Sequence, residues 1–536
     1  MHSILIKGGM VVDGIGTPAA PYDLAIEGSK IAGFYKHAET KASMTIDAKG
    51  MIVCPGFIDI HSHSEIHLLN NPLAESKVRQ GVTTELVGNC GTSPAPLMGA
   101  ARDGLRDYSD VLDVQLDWAT LDEYLLRLAN MRPSLNVATL VGASMLRASV
   151  IGNQNRAPTS DELVRMQELL SEAMLQGAWG LSSGLIYAPG CYAATEELIA
   201  LASTAASFAG IYASHIRGEG RTLLKAVEEA IRIGREARIR VEISHHKACG
   251  KSMWGAVSKT LAMIEEARKA GVDVAFDVYP YTASNTSLDT ILPAWAREGG
   301  KEQILQRLRD PETRAKIETL VLSGGDNVED VVGDSGWENI SLVGFRTQQN
   351  KKHEGKSVQE ISRLLGKEPV KTAIDLIIEE DLQVGAIFHE MLEDDVIKVM
   401  SHPLASIGSD GDAQAPYGVT GDSAVHPRAY GTFPRVIRRY VFERSVVSLE
   451  EAIMKMTSWP ADRLRLRDRG VLAKGLAADV VVFDPAKIRD TATFEKSHSY
   501  PEGIRYVIVN GAVTVEDGEH TKERAGLVLR HPPGVA

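Results

Sequence analysis

Short apolar segments alternate with amphipathic ones through most of the chain, and this alternation constrains the fold more than any other feature. Residues 160–177 and 220–237 carry apolar side chains at helical spacing, near i, i+3, i+4 and i+7. Strand candidates that alternate with such helices predict parallel βα units, and eight of them are the number in a TIM (β/α)8 barrel. The eight candidates are residues 57–63, 83–89, 137–143, 178–184, 211–216, 239–246, 272–280 and 405–411.

Two further features of the chain do not fit this alternation. Both ends consist of short apolar runs separated by glycine-containing turns, which predicts short strands at the beginning and at the end of the chain. Residues 281–404 separate the seventh and eighth candidates, which is far more than a βα connection needs. We therefore expect an inserted, lid-like subdomain there, at about residues 285–345.

Composition limits the class of protein. The net charge of −12, from 58 basic and 70 acidic residues, argues against a nucleic-acid-binding surface, which would need clustered cations. Four cysteines in 536 residues form no CxxC pair and no disulfide framework. The first residues lack the pattern of a signal peptide, and no apolar run is long enough to span a bilayer. These features predict a cytoplasmic enzyme that acts on a small molecule, with no membrane partner; they leave its oligomeric state open.

Polar residues with metal-binding side chains follow several of the predicted strands. In a barrel the carboxyl ends of all strands face one mouth, so these residues would converge. The pair His61 and His63, spaced by two, would point the same way along a strand. Imidazole, thiolate and carboxylate groups together suit zinc best, although other divalent transition metals are possible. The candidate residues are His61, His63, Cys90, His215, His245 and Asp410.

Seven motifs of the chain resemble the D-aminoacylase (N-acyl-D-amino-acid deacylase) branch of the amidohydrolase superfamily, and the similarity covers nearly the whole chain. The HxH after a PGFID strand is shared by the superfamily, whereas GNCG, ISHHK and HPRxxGTFPR are specific to this branch. The resemblance implies a TIM barrel at residues 56–465 and a small β-sandwich made of residues 1–55 and 466–536. The motifs are PGFIDIHSH, GNCGTSPAP, SHIRGEG, ISHHK, DVYPYTA, GSDG and HPRAYGTFPRV.

The same resemblance implies a reaction and a role for each residue. The reaction is zinc-dependent cleavage of N-acyl-D-amino acids to a carboxylate and a free D-amino acid. Cys90, His215 and His245 would hold a tight zinc, and His61 and His63 would form a second, weaker site that Cys90 bridges. Asp410 would be the general acid/base, a role that a carboxylate beside a metal-activated water can perform. The residues implied in substrate binding are Lys247, Tyr187, Tyr281, Ser287 and Arg428.

Three alternatives remain open at this point. Another amidohydrolase reaction, of the dipeptidase, hydantoinase, dihydroorotase or deaminase type, would use a similar barrel. Most of those enzymes bridge two metals with a carbamylated lysine on the fourth strand, and residues 178–184 contain no lysine. A serine hydrolase is the second alternative, because residues 180–184 match G-x-S-x-G around Ser182. The third is a non-catalytic scaffold, which should have lost some of the ligands.

Overall fold

The computed structural model describes residues 2–39, 41–324 and 331–532. The residues outside this description are Met1, Thr40 and 533–536 in the two terminal segments, and 325–330 in the predicted insert. Each of the eight predicted segments contains a strand, and these strands pair in parallel in two sheets. They are Phe57–Asp59, Val82–Val87, Asn136–Thr139 with Val141–Gly142, Gly180–Gly184, Ile211–His215, Arg240–Ile243, Val274–Val278 and Ala405–Ile407.

The parallel strands are buried on both faces. Every residue of Val82–Val87, Ile211–His215 and Val274–Val278 is buried. These runs are rich in β-branched and aromatic residues, which favour extended backbone and pack well on a pleated surface. The prediction of parallel βα units is therefore confirmed.

The two parallel sheets meet at both of their ends. On one side Leu140 alone separates Asn136–Thr139, in the first sheet, from Val141–Gly142, in the second. On the other side Ser62 and Gly411 form a parallel bridge, just beyond the first and the eighth strands. The carboxyl ends of the first and last strands therefore lie side by side, although their residues are far apart in sequence.

Amphipathic helices follow most of these strands and cover the sheets. A capping box, in which the side chains of Thr159 and Glu162 satisfy each other's backbone N–H groups, starts Ser160–Leu175. The α-helices outside the insert are His67–Asn70, Glu75–Val78, Ala100–Val111, Leu121–Met131, Ala143–Val150, Ser160–Leu175, Thr195–Ser207, Leu223–Ala237, Val257–Lys269, Glu393–Ser401, Arg428–Arg435, Leu449–Met456 and Ser458–Arg463. Short 3₁₀ turns lie at Gly190–Tyr192, Lys251–Met253 and Val419–Gly421, and a π-helix at Val436–Glu443.

Both ends of the chain contribute to a separate nine-stranded sheet. Ile52–Pro55 pairs antiparallel with Val480–Phe483, which joins the N-terminal strands to the C-terminal ones. A hydrophobic cluster that includes Ile6, Leu24 and Ile508 lies between these strands. The strands are His2–Val11, Ala20–Glu27, Lys30–Tyr35, Ala42–Asp47, Ile52–Pro55, Val480–Phe483, Ile504–Val509, Ala512–Glu516 and Glu519–His520.

A third unit lies between the seventh and eighth parallel strands. Ser284–Ser287, Ile340–Val343 and Gly385–Phe388 form a three-stranded antiparallel sheet. A cluster of buried side chains from Leu288 to Phe388 forms its own core. Its helices are Lys301–Arg309, Pro311–Ser323, Val331–Ser335, Val358–Leu365 and Pro369–Glu379, with 3₁₀ turns at Leu288–Ile291, Ala294–Arg297, Trp337–Asn339 and Lys351–His353.

A helix that crosses a bilayer must be both long and apolar. Among the residues that the structure describes, no helix combines the length and the apolar character that a bilayer crossing requires.

Candidate metal centre and active-site cavity

The six residues predicted as metal ligands and acid/base lie together at the carboxyl ends of the parallel strands. His215 is the last residue of its strand, and the others lie two to four residues beyond the ends of their strands. All except His63 are buried, and the His63 side chain is 26% exposed. The rings of His61 and His63 are 5.3 Å apart, as their spacing of two residues predicts.

A tight group of four ligand atoms forms the centre of the cluster. One side-chain atom from each of His61, Cys90, His245 and Asp410 lies within 4.8 Å of every other. The Cys90 Sγ is 3.3 Å from His61 Nε2 and 3.6 Å from His245 Nε2. His61 Nε2 is 3.3 Å from Asp410 Oδ1. A thiol, two imidazoles and a carboxylate at these distances match the donor set of a zinc site.

The two remaining histidines extend this group on opposite sides. His215 Nδ1 is 2.9 Å from His245 Nε2, and the buried His215 Nε2 has no hydrogen-bond partner among the described residues. His63 Nε2 is 3.0 Å from Asp410 Oδ1. Imidazole nitrogens that face one another at this distance have lone pairs to offer, and a shared cation satisfies them. The donor set therefore fits zinc.

Backbone conformation aims three of these side chains at the centre. Cys90, His245 and Asp410 have φ values of 52°, 37° and 51°, in the left-handed region. Non-glycine residues rarely adopt this region, and each such residue costs on the order of 1–3 kcal/mol. Such strain is typical of functional sites, where the surrounding structure holds residues in place.

Two buried carboxylates orient the histidines from behind. Asp277 Oδ2 lies 3.2 Å from His61 Nδ1, and Asp277 Oδ1 accepts a hydrogen bond from the His245 backbone N–H at 2.9 Å. Glu219 Oε1 is 3.0 Å from His245 Nδ1. Contacts of this kind leave Nε2 of each ring free for a metal. The sequence analysis missed both residues, although a carboxylate within the apolar strand VAFDV is a signal that could have identified Asp277.

Burial and charge set the protonation of the ligands. Burial lowers the pKa values of His215 and His245 well below the usual range, so both imidazoles are neutral, as metal binding requires. Burial also raises the pKa of the Cys90 thiol to about 11. A bound cation reverses this preference, because a coordinating thiol is deprotonated.

Asp410 is ionised in spite of its burial. Burial alone would raise its pKa, but the guanidinium of Arg428, with Nη1 2.7 Å from Asp410 Oδ2, and the nearby histidines hold that pKa well below the usual range. Asp410 is therefore in its ionised form, which is the form that can accept a proton, at neutral pH.

A cavity of about 710 Å³ opens beside this cluster. Its wall includes His63, Cys90, His215, His245 and Asp410, so a ligand in the cavity would reach the metal-binding atoms. The inserted unit covers one side of it through Ser284, Asn285, Thr286, Ser287, Thr290, Ala294, Arg297, Leu382, Gln383, Val384, Gly385 and Phe388.

Four of the five predicted substrate-binding residues line this cavity. The Tyr187 hydroxyl accepts a hydrogen bond from Thr286 Oγ1 at 3.0 Å, and the Tyr187 ring lies 5.0 Å from that of His215. Ser287 Oγ donates to the Asp289 carboxylate. The cations Lys247 and Arg428 are already in ion pairs, with Glu219 and Asp410 respectively. A substrate carboxylate would therefore have to share or displace these partners.

The structure does not bring Tyr281 to the cavity wall. Its hydroxyl donates to the Pro427 carbonyl at 3.4 Å, and Arg435 lies over its ring. The strand ends at Val278, and the N–H of Tyr281 then bonds the Tyr279 carbonyl, so the alternation of side chains stops. Tyr279 lines the cavity instead, with its ring centre 5.0 Å from Arg428 Cζ.

The geometry around Ser182 does not support a serine hydrolase. Ser182 lies within the strand Gly180–Gly184 and is fully buried, whereas the motif requires an exposed turn between a strand and a helix. Its hydroxyl donates to the Gly88 carbonyl and accepts from the Gly91 N–H. Ser182 therefore supports the backbone that leads to Cys90.

Comparison with known proteins gives matches over nearly the whole chain. Residues 44–515 match the family model described as amidohydrolase family. The chain is 36% identical to D-aminoacylase from Alcaligenes xylosoxydans xylosoxydans, over 98% of this chain and 97% of that protein. It is also 36% identical to N-acyl-D-aspartate deacylase of the same organism, over 98% and 94%.

A solved structure gives an equally extensive match. It is that of N-acyl-D-glutamate deacylase from Bordetella bronchiseptica, complexed with zinc and a phosphonate inhibitor that mimics the tetrahedral intermediate of its reaction. The two chains superimpose with a TM-score of 0.82 at 34% identity, over 99% of each.

Proposed function

This chain belongs to the amidohydrolase family, in the branch of the D-aminoacylases, and we propose that it is a zinc-dependent N-acyl-D-amino-acid deacylase. It cleaves the amide bond of an N-acyl-D-amino acid to a carboxylate and a free D-amino acid. One observation carries this proposal. Cys90, three histidines and an ionised Asp410 line one cavity, with His61 in contact with Cys90 and Asp410, in a chain similar over its length to three deacylases.

Two sets of residues would hold the metal. Cys90, His215 and His245 would bind the tight zinc, and His61 and His63 a second, weaker ion that Cys90 bridges. The carboxylates of Asp277 and Asp410 outweigh burial and raise the pKa of His61, so protons compete with a metal there. Bound zinc lowers the pKa of a water to about 7 and polarises the substrate carbonyl.

Asp410 supplies the proton transfers. Its carboxylate takes a proton from the attacking water and passes it to the departing nitrogen, which an amide needs in order to leave as an amine. The contacts with His61, His63 and Arg428 fix its orientation. These contacts also keep the carboxylate ionised between turnovers.

The cavity wall beside Asp410 would bind the substrate. Arg428 can hold a carboxylate through two parallel hydrogen bonds, and Lys247 adds a point charge. Tyr187, whose ring lies 5.0 Å from that of His215, would contact the substrate near its scissile amide. Ser287, from the inserted unit, and Tyr279 would complete this side of the cavity.

The fold proposal follows from the strand pairings. We propose that the two parallel sheets form one closed (β/α)8 barrel at residues 56–465, since they meet at Leu140 and at the Ser62–Gly411 bridge. Residues 1–55 and 466–536 would form the β-sandwich. The inserted unit would extend from 284 to 388, beyond the predicted 285–345, because its sheet and its core continue to Phe388.

A substrate panel tests the function. The purified protein is given N-acetyl-D- and N-acetyl-L-amino acids with neutral and acidic side chains, D-dipeptides, a hydantoin and dihydroorotate. We expect hydrolysis of the N-acetyl-D-amino acids, with the L-isomers and the cyclic amides inert. Turnover of a cyclic amide in preference to every N-acetyl-D-amino acid would show that the chain performs another amidohydrolase reaction.

Arg428 should affect acidic substrates selectively. Arg428→Ala should lower kcat/KM for an N-acetyl-D-amino acid by about 10- to 150-fold, since a charge-assisted hydrogen bond is worth about 1.5–3 kcal/mol. The amide-blocked form of the same substrate, which has no carboxylate, isolates the effect of losing the ion pair with Asp410. An equal loss of kcat/KM for the acid and the amide would show that Arg428 only orients Asp410 and does not bind the substrate carboxylate.

A further inference from the structure

A buried lysine bonds both chain neighbours of Asp410, the proposed general acid/base, and lies outside the cavity wall and the candidate ligand groups. Lys77, on the short helix Glu75–Val78, is fully buried. Its Nζ donates to Asp59 Oδ2 at 2.8 Å, to Ser409 Oγ at 2.7 Å and to the Gly411 carbonyl at 2.7 Å. These three bonds use all three ammonium protons.

The partners of Lys77 are also bonded to one another. Asp59 Oδ1 accepts the Ser409 backbone N–H at 2.8 Å, and Asp59 Oδ2 accepts the Ser409 hydroxyl at 2.5 Å. Ser409 and Gly411 are the neighbours of Asp410 in the chain, and the Asp410 N–H donates to the His61 carbonyl at 2.8 Å. Ser409 and Gly411, on either side of Asp410, are therefore both bonded to Lys77, and the backbone of Asp410 itself is bonded to His61.

The strands that precede His61 and Asp410 are short, so strand pairing alone does little to fix the position of Asp410. The first and eighth strands, Phe57–Asp59 and Ala405–Ile407, are each three residues long. Asp410 is in the left-handed region, with φ 51°, and needs surrounding contacts to stay there. A buried ion pair is weak evidence for stability, because well-packed apolar residues often serve as well. Its bonds to residues 409 and 411 suggest a positional role instead.

We propose that Lys77 is a positioning residue, which with Asp59 and Ser409 forms a clamp that holds the Asp410 carboxylate at His61 and His63. None of the three clamp residues lines the cavity, so the clamp touches no substrate. Its effect is on the angle at which Asp410 meets the water and the departing nitrogen. This inference rests on the proposed function, in which Asp410 transfers the proton.

The test replaces Lys77 in the zinc-loaded enzyme. Lys77→Met should lower kcat for an N-acetyl-D-amino acid by about 10- to 100-fold, because a misplacement of about 1 Å can cost about 100-fold in rate. KM and zinc content should stay within about two-fold of the wild-type values, since the cavity and the ligands are intact. Zinc is measured by elemental analysis, and folding by thermal unfolding.

Lys455→Met is the matched control. Lys455 is also buried, with 1% exposure, and donates to the His402 carbonyl just before the eighth strand, at the end opposite Asp410. Its loss should lower the unfolding temperature but leave kcat unchanged. If both lysine variants lose kcat in the same proportion, the effect in Lys77→Met is merely structural and the clamp is wrong.

Ser409→Ala decides the matter if Lys77→Met does not fold. It removes one link of the clamp without leaving an unpaired buried charge, and should lower kcat by about 3- to 10-fold with KM unchanged. Normal kcat in this folded, zinc-loaded variant, or a loss explained by zinc content or KM, would overturn the clamp alone. A wild-type protein that hydrolyses no N-acyl-D-amino acid would overturn the proposed function and the clamp with it.

Discussion

Asp410→Asn should lower kcat by about 100- to 10,000-fold, the range that general acid–base catalysis contributes. Asparagine has nearly the same shape and retains an oxygen for His63, so the fold and the tight zinc should remain. The amide cannot accept the proton from water, and the chemical step therefore fails while substrate still binds. Steady-state kinetics and elemental analysis on the same sample measure both effects.

Asp412→Asn provides the control for this substitution. Asp412 lines the same cavity two residues further on, but its side chain is 32% exposed and its carboxylate lies 3.8 Å from His67 rather than at the metal ligands. It should keep most of the wild-type kcat. Near-normal turnover by zinc-loaded Asp410→Asn would remove Asp410 from the mechanism.

Cys90→Ala should abolish both zinc binding and turnover. The Cys90 Sγ lies between His61 Nε2 and His245 Nε2, so its loss removes the donor common to both proposed metal positions. Without the metal the water is not activated, and kcat should fall by more than about 1,000-fold, as expected when a bound metal no longer lowers the pKa of water from 15.7 to about 7. Elemental analysis of the dialysed variant gives the zinc content.

Cys249→Ala controls for the loss of a buried thiol. Cys249 is 5% exposed and lines the same cavity, but it lies outside both candidate ligand groups. This variant should retain zinc and most of the activity. Wild-type zinc in Cys90→Ala would show that the metal is held by other residues.

The sequence predicted that the polar residues at the strand ends would converge, because the topology of parallel strands leaves few other positions for them. Parallel strands place their carboxyl ends at one edge, so the candidate metal-binding and acid/base residues could be grouped without knowing the packing. They are His61, Cys90, His215, His245 and Asp410. The spacing of two between His61 and His63 fixed their common direction.

The sequence did not predict the layer behind these residues. Asp277, Glu219, Asp59 and Lys77 contact partners that only the tertiary structure brings near, as Lys77 contacts residues 409 and 411. Tyr281 was expected at the cavity from the resemblance alone, and the structure places it off the cavity wall because the chain turns after Val278.

The local sequence pattern also could not predict where the insert ends. Its third strand, Gly385–Phe388, lies between the other two, Ser284–Ser287 and Ile340–Val343, although it comes last in sequence. Such a pairing depends on contacts about 100 residues apart, which strand propensity does not encode.

The most direct test of this account is a zinc titration of metal-free protein with both enantiomers of one N-acetyl amino acid as substrates. We expect hydrolysis of the D-enantiomer to rise in proportion to added zinc and to reach most of its maximum at one ion per chain, while the L-enantiomer stays inert. Hydrolysis that is equal for both enantiomers, or that does not depend on zinc, would contradict the assignment of this chain as a zinc-dependent N-acyl-D-amino-acid deacylase.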